Sequence, residues 1–438
     1  LIRIVRRHER DELLARLEAR SVAFDPELMK AVGSIVEDVR RRGDEALIEY
    51  TARFDGVQLT SLRVDEKTLQ RSADTVDKRV MAALREAIEN VRTFHQRQVE
   101  QSWEISPREG VTLGQRITPL DRVGLYVPGG TAAYPSSVIM NVVPAQVAGV
   151  GRIVVTTPPR TLNENPVVAA ALRELNVTEV YAVGGAQAIA ALAFGTQTVP
   201  RVDKITGPGN KYVAAAKKLV FGVTGIDAIA GPSEVVIIAD DVARADFIAA
   251  DLLAQAEHGE DASSILITTS ESLANSVAQE VERQTESLPR RAIVNASLKD
   301  FGAIVIAGSI DDACDIANRI APEHLQLVTR DDDATATKIR HAGAIFFGQH
   351  TPEAVGDYLA GPNHVLPTGR TARFSSALGV YDFVKRTSLL RYSSDAFGSA
   401  ADSIAALAEC EGLAAHARSA LIRREVLPQR RKDAKEKS

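Results

Sequence analysis

The sequence predicts an α/β protein: two domains with parallel sheets, a helical N-terminal region and a small helical C-terminal tail. Three observations predict it. From about residue 135, short runs rich in Val and Ile alternate with helix-length stretches, the rhythm of parallel strands covered on both faces. The alternation comes in two series, one closing at "NKYVAAAKKLV" and one opening at "EVVIIAD". The closing stretch "AFGSAADSIAALAECEGLAAHARSALIRREV" is Ala-rich and has helical spacing only.

In chain order, "DPELMKAVGSIVEDVRRRGDEALIEYTARFDG" has Asp25 as an N-cap and Pro26 after it, with breaks near Gly43 and Gly56. A longer helix carries Val76, Val80, Leu84, Ile88 and Val91 at spacings of three to four. "GVTLGQRITPLDRVGLYVP" switches to short strands. The first series then reads helix "VPAQVAGV", strand "RIVVTTPP", helix "NPVVAAALREL", strand "TEVYAVGG", helix "AQAIAALAFG", strand and turn "VDKITGPG", helix "NKYVAAAKKLV". The second reads "EVVIIAD", a helix through 244–258, then "SSILITT", "AIVIAG", "LQLVT" and "GAIFFG" with helices between them. The expected division is an arm over 1–24, a first domain of 25–120 with 234–375, a second over 121–233, and a tail over 376–438. The two series suggest similar domains, although no direct repeat proves a duplication. So small a tail cannot bury a core of its own and is expected to pack on something else, a partner subunit.

Composition narrows the function classes. The 438 residues are 45% hydrophobic and 25% charged with a net charge of −5, which describes a soluble globular protein and points away from nucleic acid and membrane partners. No apolar run spans a bilayer, and "LIRIVRRHER" lacks a signal-peptide core and cleavage site. Two cysteines, Cys314 and Cys410, make no disulfide framework and fit a reducing compartment, the cytoplasm. The basic run "RREVLPQRRKDAKEKS" is read as a solvated end rather than a site for anionic partners.

Three glycine-rich stretches follow or border strands: "YVPGGTAAYPSS" (126–137), "VGGAQAIAA" (183–191) and "TGPGNKYVAAAKK" (206–218). Each can offer backbone N–H groups at a helix start, which favours phosphate. The third fails the usual dinucleotide fingerprint, because Tyr212 stands where the last glycine belongs. Singly each is a plain turn; three within one α/β unit suggest a nucleotide cleft.

Gln255 and His258 stand three apart in "DLLAQAEHGED" and so share one helix face. Neutral imidazole is a good zinc ligand and an amide oxygen an acceptable one. The plainer reading is a capped helix end, with His258 favoured by the C-terminal dipole; Asp251 on the same stripe reads as structural. A carboxylate and a second imidazole must come from elsewhere, and Asp357 of "GDYLAGPNHVLPTG" and His416 of "ECEGLAAHARS" are the candidates. Glu323 and His324 of "IAPEHLQLV" are adjacent, so they point in different directions. They can serve two steps, the imidazole as proton acceptor and the carboxylate as activator of water, or form no more than a polar turn.

In chain order, "VGLYVPGG", "VGGAQAIAALAFGT", "DKITGPGN", "AGPSEVVIIAD", "DLLAQAEHG", "APEHLQL", "GDYLAGPNHVLPT" and "EGLAAHA" resemble the L-histidinol dehydrogenase family over nearly the whole chain. The resemblance implies Rossmann-like domains that dispense with the usual glycine fingerprint. It implies NAD-dependent oxidation of L-histidinol to L-histidine through L-histidinal, the final steps of histidine biosynthesis. It implies one Zn2+ per subunit on Gln255, His258, Asp357 and His416, and an acid/base pair at Glu323 and His324. Substrate contacts fall on Ser233, His324, His364, Glu411 and the zinc ligands Gln255, His258, Asp357 and His416, and NAD contacts on Tyr126, Gln187 and Asn210. The family is a homodimer whose exchanged tails complete each other's sites. Such a ligand set leaves zinc at about +1, suited to the neutral nitrogens of histidinol, so zinc is expected chiefly to orient the substrate.

Other readings stand beside this one. Cys410, next to Glu411, could carry a thiohemiacetal, with Cys314 a core residue. The same zinc site could serve another amino alcohol or a diol. A zinc hydrolase with Glu323 activating a metal-bound water would leave the glycine-rich loops unexplained. A non-catalytic binding protein would leave a full set of acid/base and ligand positions without use.

Overall fold

The structure is a computed structural model and describes residues 2–18, 24–129 and 134–425. The basic run from 426 onward and residues 130–133 of the first glycine-rich stretch lie outside the described residues. The chain forms two compact units, Leu1–Val99 with Pro119–Phe383, and Glu100–Thr118 with Val384–Ser438.

The first unit holds two parallel sheets. One has the strand order Arg3–Val5, Gly302–Ile306, Ser263–Thr268, Glu234–Ala239, His324–Val328 and Ala344–Phe347. Every pairing in it is parallel. The other runs Glu179–Ala182, Arg152–Thr157, Arg122–Tyr126, Lys204–Thr206 and Gly225–Ile226, again all parallel.

Both sheets are covered on both faces, which is why their strands read as continuous apolar runs. In Glu234–Ala239, Val235 and Ile237 enter a core with helices Ala245–Ala256, Glu271–Thr285 and Arg291–Phe301. Val236 and Ile238 enter the opposite core with Arg10–Glu18 and Ile310–Ile320. Each such side chain, fully buried, contributes roughly 1.5–3 kcal/mol.

The N-terminal helices differ from expectation in their placement. They were expected to belong with residues 234–375, yet they cover the five-stranded sheet. Pro26–Arg42 and Asp44–Asp55 bury Val32, Val36, Val39 and Leu47 against Ile189 and Leu192, while Lys78–Gln96 buries Leu84, Ile88 and Val91 beside Val138 and Val142. Periodicity gives a helix its apolar face without saying which sheet will receive it. The expected arm is also tied in: Arg3–Val5 pairs with Gly302–Ile306, and Leu13, Leu14 and Leu17 are buried. Three residues are too few to show a strand period.

In the second unit, Trp103–Arg108 pairs antiparallel with Val111–Pro119 in a sheet that also holds Val384–Tyr392. The tail is helical from there, as Ser394–Cys410 and Ala414–Glu425. The strand before the helices adds to the sequence expectation. It is almost wholly exposed, so no apolar alternation marks it. Among the described residues no helix is long and apolar enough to cross a membrane.

Candidate functional site

A cleft of about 970 Å³ opens in the first unit where the C-terminal edge of the five-stranded sheet meets the N-terminal edge of the six-stranded one. Gly207–Lys211, directly after the strand Lys204–Thr206, line one part of it. Ser233, Glu323 and His324, at the starts of Glu234–Ala239 and His324–Val328, line another.

The helix Ala245–Ala256 ends in a turn at Glu257, where His258 N–H donates to the Gln255 carbonyl at 3.2 Å. His258 Nδ1 lies 3.0 Å from the Ala254 carbonyl oxygen. With the proton on Nδ1, its Nε2 is left as a lone-pair donor, the arrangement that fixes a metal-binding imidazole. His258, Asp357 and Glu353 each offer a ligand atom, and these atoms lie within 4.8 Å of one another. Gln255 is fully buried behind them, one end of its amide 3.2 and 3.3 Å from the two Glu353 carboxylate oxygens, which a nitrogen there would satisfy and an oxygen would not.

Glu353 is the residue that the sequence reading passed over. It precedes Asp357 by four on the short helix Glu353–Tyr358, so both share one face. That i, i+4 pair of carboxylates just ahead of a Gly/Pro-rich loop was the available signal. Burial, then Asp357 and Asp251, push the Glu353 carboxyl well above the usual range. Asp251 itself is raised to about 6 by burial, and its bond with Gln326 offsets part of that rise.

Glu323 and His324 are both buried, and their side chains are 3.7 Å apart, so they form no dyad. Glu323 accepts from the Glu234 N–H at 3.0 Å, and burial raises its carboxyl well above the ordinary value. His324 Nδ1 faces the Glu234 carbonyl oxygen at 3.3 Å, with a Glu353 oxygen at 3.6 Å. Three acceptors around Nδ1 place the proton there. Nε2, buried and without a hydrogen-bond partner among the described residues, is the basic nitrogen. Burial disfavours the protonated form and lowers this imidazole to about 4, so it is neutral near pH 7 with its Nε2 lone pair free.

His364 also lines the cleft, its Nε2 buried and unpartnered. Its loop is pinned by the preceding residue. Asn363 donates to the Met140 carbonyl at 2.6 Å and lies 3.2 Å from His95 Nε2. Among the described residues no Lys or Arg pairs with Glu323, Glu353 or Asp357. Three carboxyl groups with neutral imidazoles and no fixed cation form a site that a metal ion would neutralise.

All three glycine-rich stretches leave the C-terminal edge of the five-stranded sheet and lead into helices, Pro135–Ala148, Gly185–Phe194 and Lys211–Val220. Asn210 lines the cleft and caps the third, accepting from the N–H groups of Tyr212 and Val213 at 3.0 and 3.2 Å. Tyr126 and Gln187 are buried around Gly185, whose N–H donates to the Tyr126 hydroxyl at 3.1 Å. Burial pushes that phenol up to about 12. Glu411 and His416 belong to the second unit, Glu411 just after Ser394–Cys410 and His416 on Ala414–Glu425, both exposed. Cys314 is buried and Cys410 exposed.

The fold and this cleft define an α/β protein with a buried carboxyl and imidazole beside a group of residues that could hold a metal ion. Comparison with known proteins makes the class specific. A family model described as histidinol dehydrogenase matches residues 18–424. Histidinol dehydrogenase of Geobacillus kaustophilus is 56% identical over 400 residues, covering 91% of this chain and 94% of that protein. That of Bacillus subtilis is 53% identical over 396 residues, 90% and 92% of the two chains. The crystal structure of histidinol dehydrogenase from Elizabethkingia anophelis superposes with a TM-score of 0.91 at 35% identity, over 97% of this chain and 98% of that one. This chain belongs to the histidinol dehydrogenase family, a family of oxidoreductases.

Proposed function

We propose that this enzyme oxidises L-histidinol to L-histidine through L-histidinal, using two NAD and one Zn2+ per subunit, in the final steps of histidine biosynthesis. The observation that carries the reading is the convergence of buried Glu323, His324 and Glu353 with half-buried Asp357 and exposed His258 on one cleft, with carboxyl groups that no Lys or Arg among the described residues neutralises. Zinc fits this donor set of imidazole nitrogen and oxygen. Its ligands would be Gln255, His258 and Asp357, with His416 from the tail of the partner subunit. NAD fits the loops at Gly129 and Gly207–Asn210, with Tyr126 and Gln187 behind them and Asn210 at the helix cap. When bound, NAD accepts hydride, and zinc holds substrate nitrogen and oxygen in place.

His324 Nε2 takes the hydroxyl proton as the alcohol becomes aldehyde. Glu323, once ionised, takes a proton from the water that adds to the aldehyde, while His324 returns its proton to the carbonyl oxygen and so becomes neutral again. The hydrate then gives its hydroxyl proton to His324 Nε2 as the acid forms. Ser233, His364 and the partner's Glu411 would bind the substrate. Exchange of the tail is supported by its small core of Ala405, Ala408 and Ala417, and by exposed Leu390 and Leu407 (72% and 69%).

The test is the NADH formed per L-histidinol consumed at limiting substrate, with and without a chelator. Two NADH, lost on chelation and restored by zinc, are expected. One NADH per substrate would reject the second oxidation, and full activity without metal would reject the zinc.

A further inference from the structure

A side-chain amide is two-faced. Its oxygen can bind a cation and its nitrogen cannot, and the torsion that exchanges them is broad and nearly two-fold. A glutamine serves a metal only if something decides which end faces it. Here Gln255 is fully buried, and the end of its amide that faces Glu353 lies 3.2 and 3.3 Å from the two carboxylate oxygens, where hydrogen bonds form only if that end is the nitrogen. With Glu353 ionised, as it would be beside a metal ion, the opposite orientation would set the amide oxygen against two acceptors, a buried repulsion.

Glu353 sits where such a part is needed. It is buried, and one of its oxygens lies within 4.8 Å of ligand atoms of His258 and Asp357. Among the described residues it pairs with no Lys or Arg, and the imidazole that it meets, His324 with Nδ1 at 3.6 Å, is neutral. A structural ion pair would not leave a carboxylate so placed, because burial without a partner costs several kcal/mol.

We infer that Glu353 is a positioning residue that holds the amide nitrogen of Gln255 and so turns its oxygen away from the carboxylate and toward the metal. This rests on the zinc reading above. Glu353 then acts on the metal through Gln255 rather than as a ligand in its own right.

The experiment is a double-mutant cycle on zinc affinity, measured on the full-length protein by competition with a chromophoric chelator. Its members are wild type, Glu353→Gln, Gln255→Ala and the double variant. In Glu353→Gln the new amide can meet Gln255 nitrogen to nitrogen, so the lock is lost. Zinc affinity should fall roughly 10–100-fold, the usual effect of removing a residue that orients a ligand. The double variant should bind zinc no more weakly than Gln255→Ala alone. Unchanged affinity in Glu353→Gln overturns the inference. So does a double variant whose loss is the product of the two single losses, since Glu353 would then bind the metal independently. Thermal unfolding of each metal-free variant checks the fold, and Glu353→Asp replaces Glu353→Gln in the cycle if the latter is unfolded. Wild type that holds no zinc would sink the metal reading itself, a result separate from the behaviour of the variants.

Discussion

Glu323 and His324 follow one another in the chain, yet the strand start at His324 sends them to different neighbours. His324 keeps its Nδ1 proton against the Glu234 carbonyl and offers Nε2. Glu323 accepts from the Glu234 N–H, and burial raises its carboxyl well above the ordinary value. In the proposed reaction only the aldehyde step needs a base for water, so the two residues should separate kinetically. Glu323→Gln keeps the shape and the acceptor oxygen but cannot take a proton. It should slow L-histidinal oxidation ~10²–10³-fold while alcohol oxidation falls much less. Single-turnover NADH formation from each substrate checks this; equal losses in both steps would remove the role given to Glu323.

At the scale of elements, much was readable because burial on both faces imposes a pattern. The strands of both series stand where Val and Ile cluster, and helical spacing set Gln255 and His258 on one face, although only the family resemblance made them ligands. What periodicity could not give was pairing between distant segments. Asp227, for example, lies just after the two-residue strand Gly225–Ile226, and Lys217 on Lys211–Val220 reads only as a helix lysine. In the structure the two form a buried ion pair around one peptide. Lys217 Nζ donates to the Gly207 carbonyl at 3.0 Å, and the Gly207 N–H donates to Asp227 at 2.8 Å. Gly207 has φ +112°, and a Cβ there would stand 2.1 Å from the Tyr126 carbonyl oxygen. The pair therefore fixes the loop proposed to cradle NAD. Lys217→Met strands a buried carboxylate, so stability should fall by ~3–5 kcal/mol. KM for NAD should rise roughly tenfold with kcat less affected, since a displaced loop weakens binding before chemistry. Denaturant unfolding and NAD kinetics test both parts; lost stability with an unchanged KM would make the clamp structural only.

At the scale of the whole molecule, the sequence shows a tail too small to stand alone, and the structure gives that tail exposed apolar side chains together with Glu411 and His416. Exchange between two copies explains both features at once, because a homodimer can place each tail at the other chain's cleft. The idea has a consequence that no arrangement confined to one chain shares. His324→Asn damages the body of a subunit, and His416→Ala damages only what its tail delivers. Each variant alone should be inactive or nearly so. Coexpressed, half of the dimers are mixed, and in each of these one site joins an intact body to an intact tail. The mixture should recover about a quarter of wild-type activity per chain, whereas zinc, whose ligands His324→Asn leaves intact, should fill about half of the sites in either arrangement. If every site is built within one chain, mixing the two variants restores nothing. Recovery of activity would therefore report which chain supplies His416, without any measurement of dimer shape.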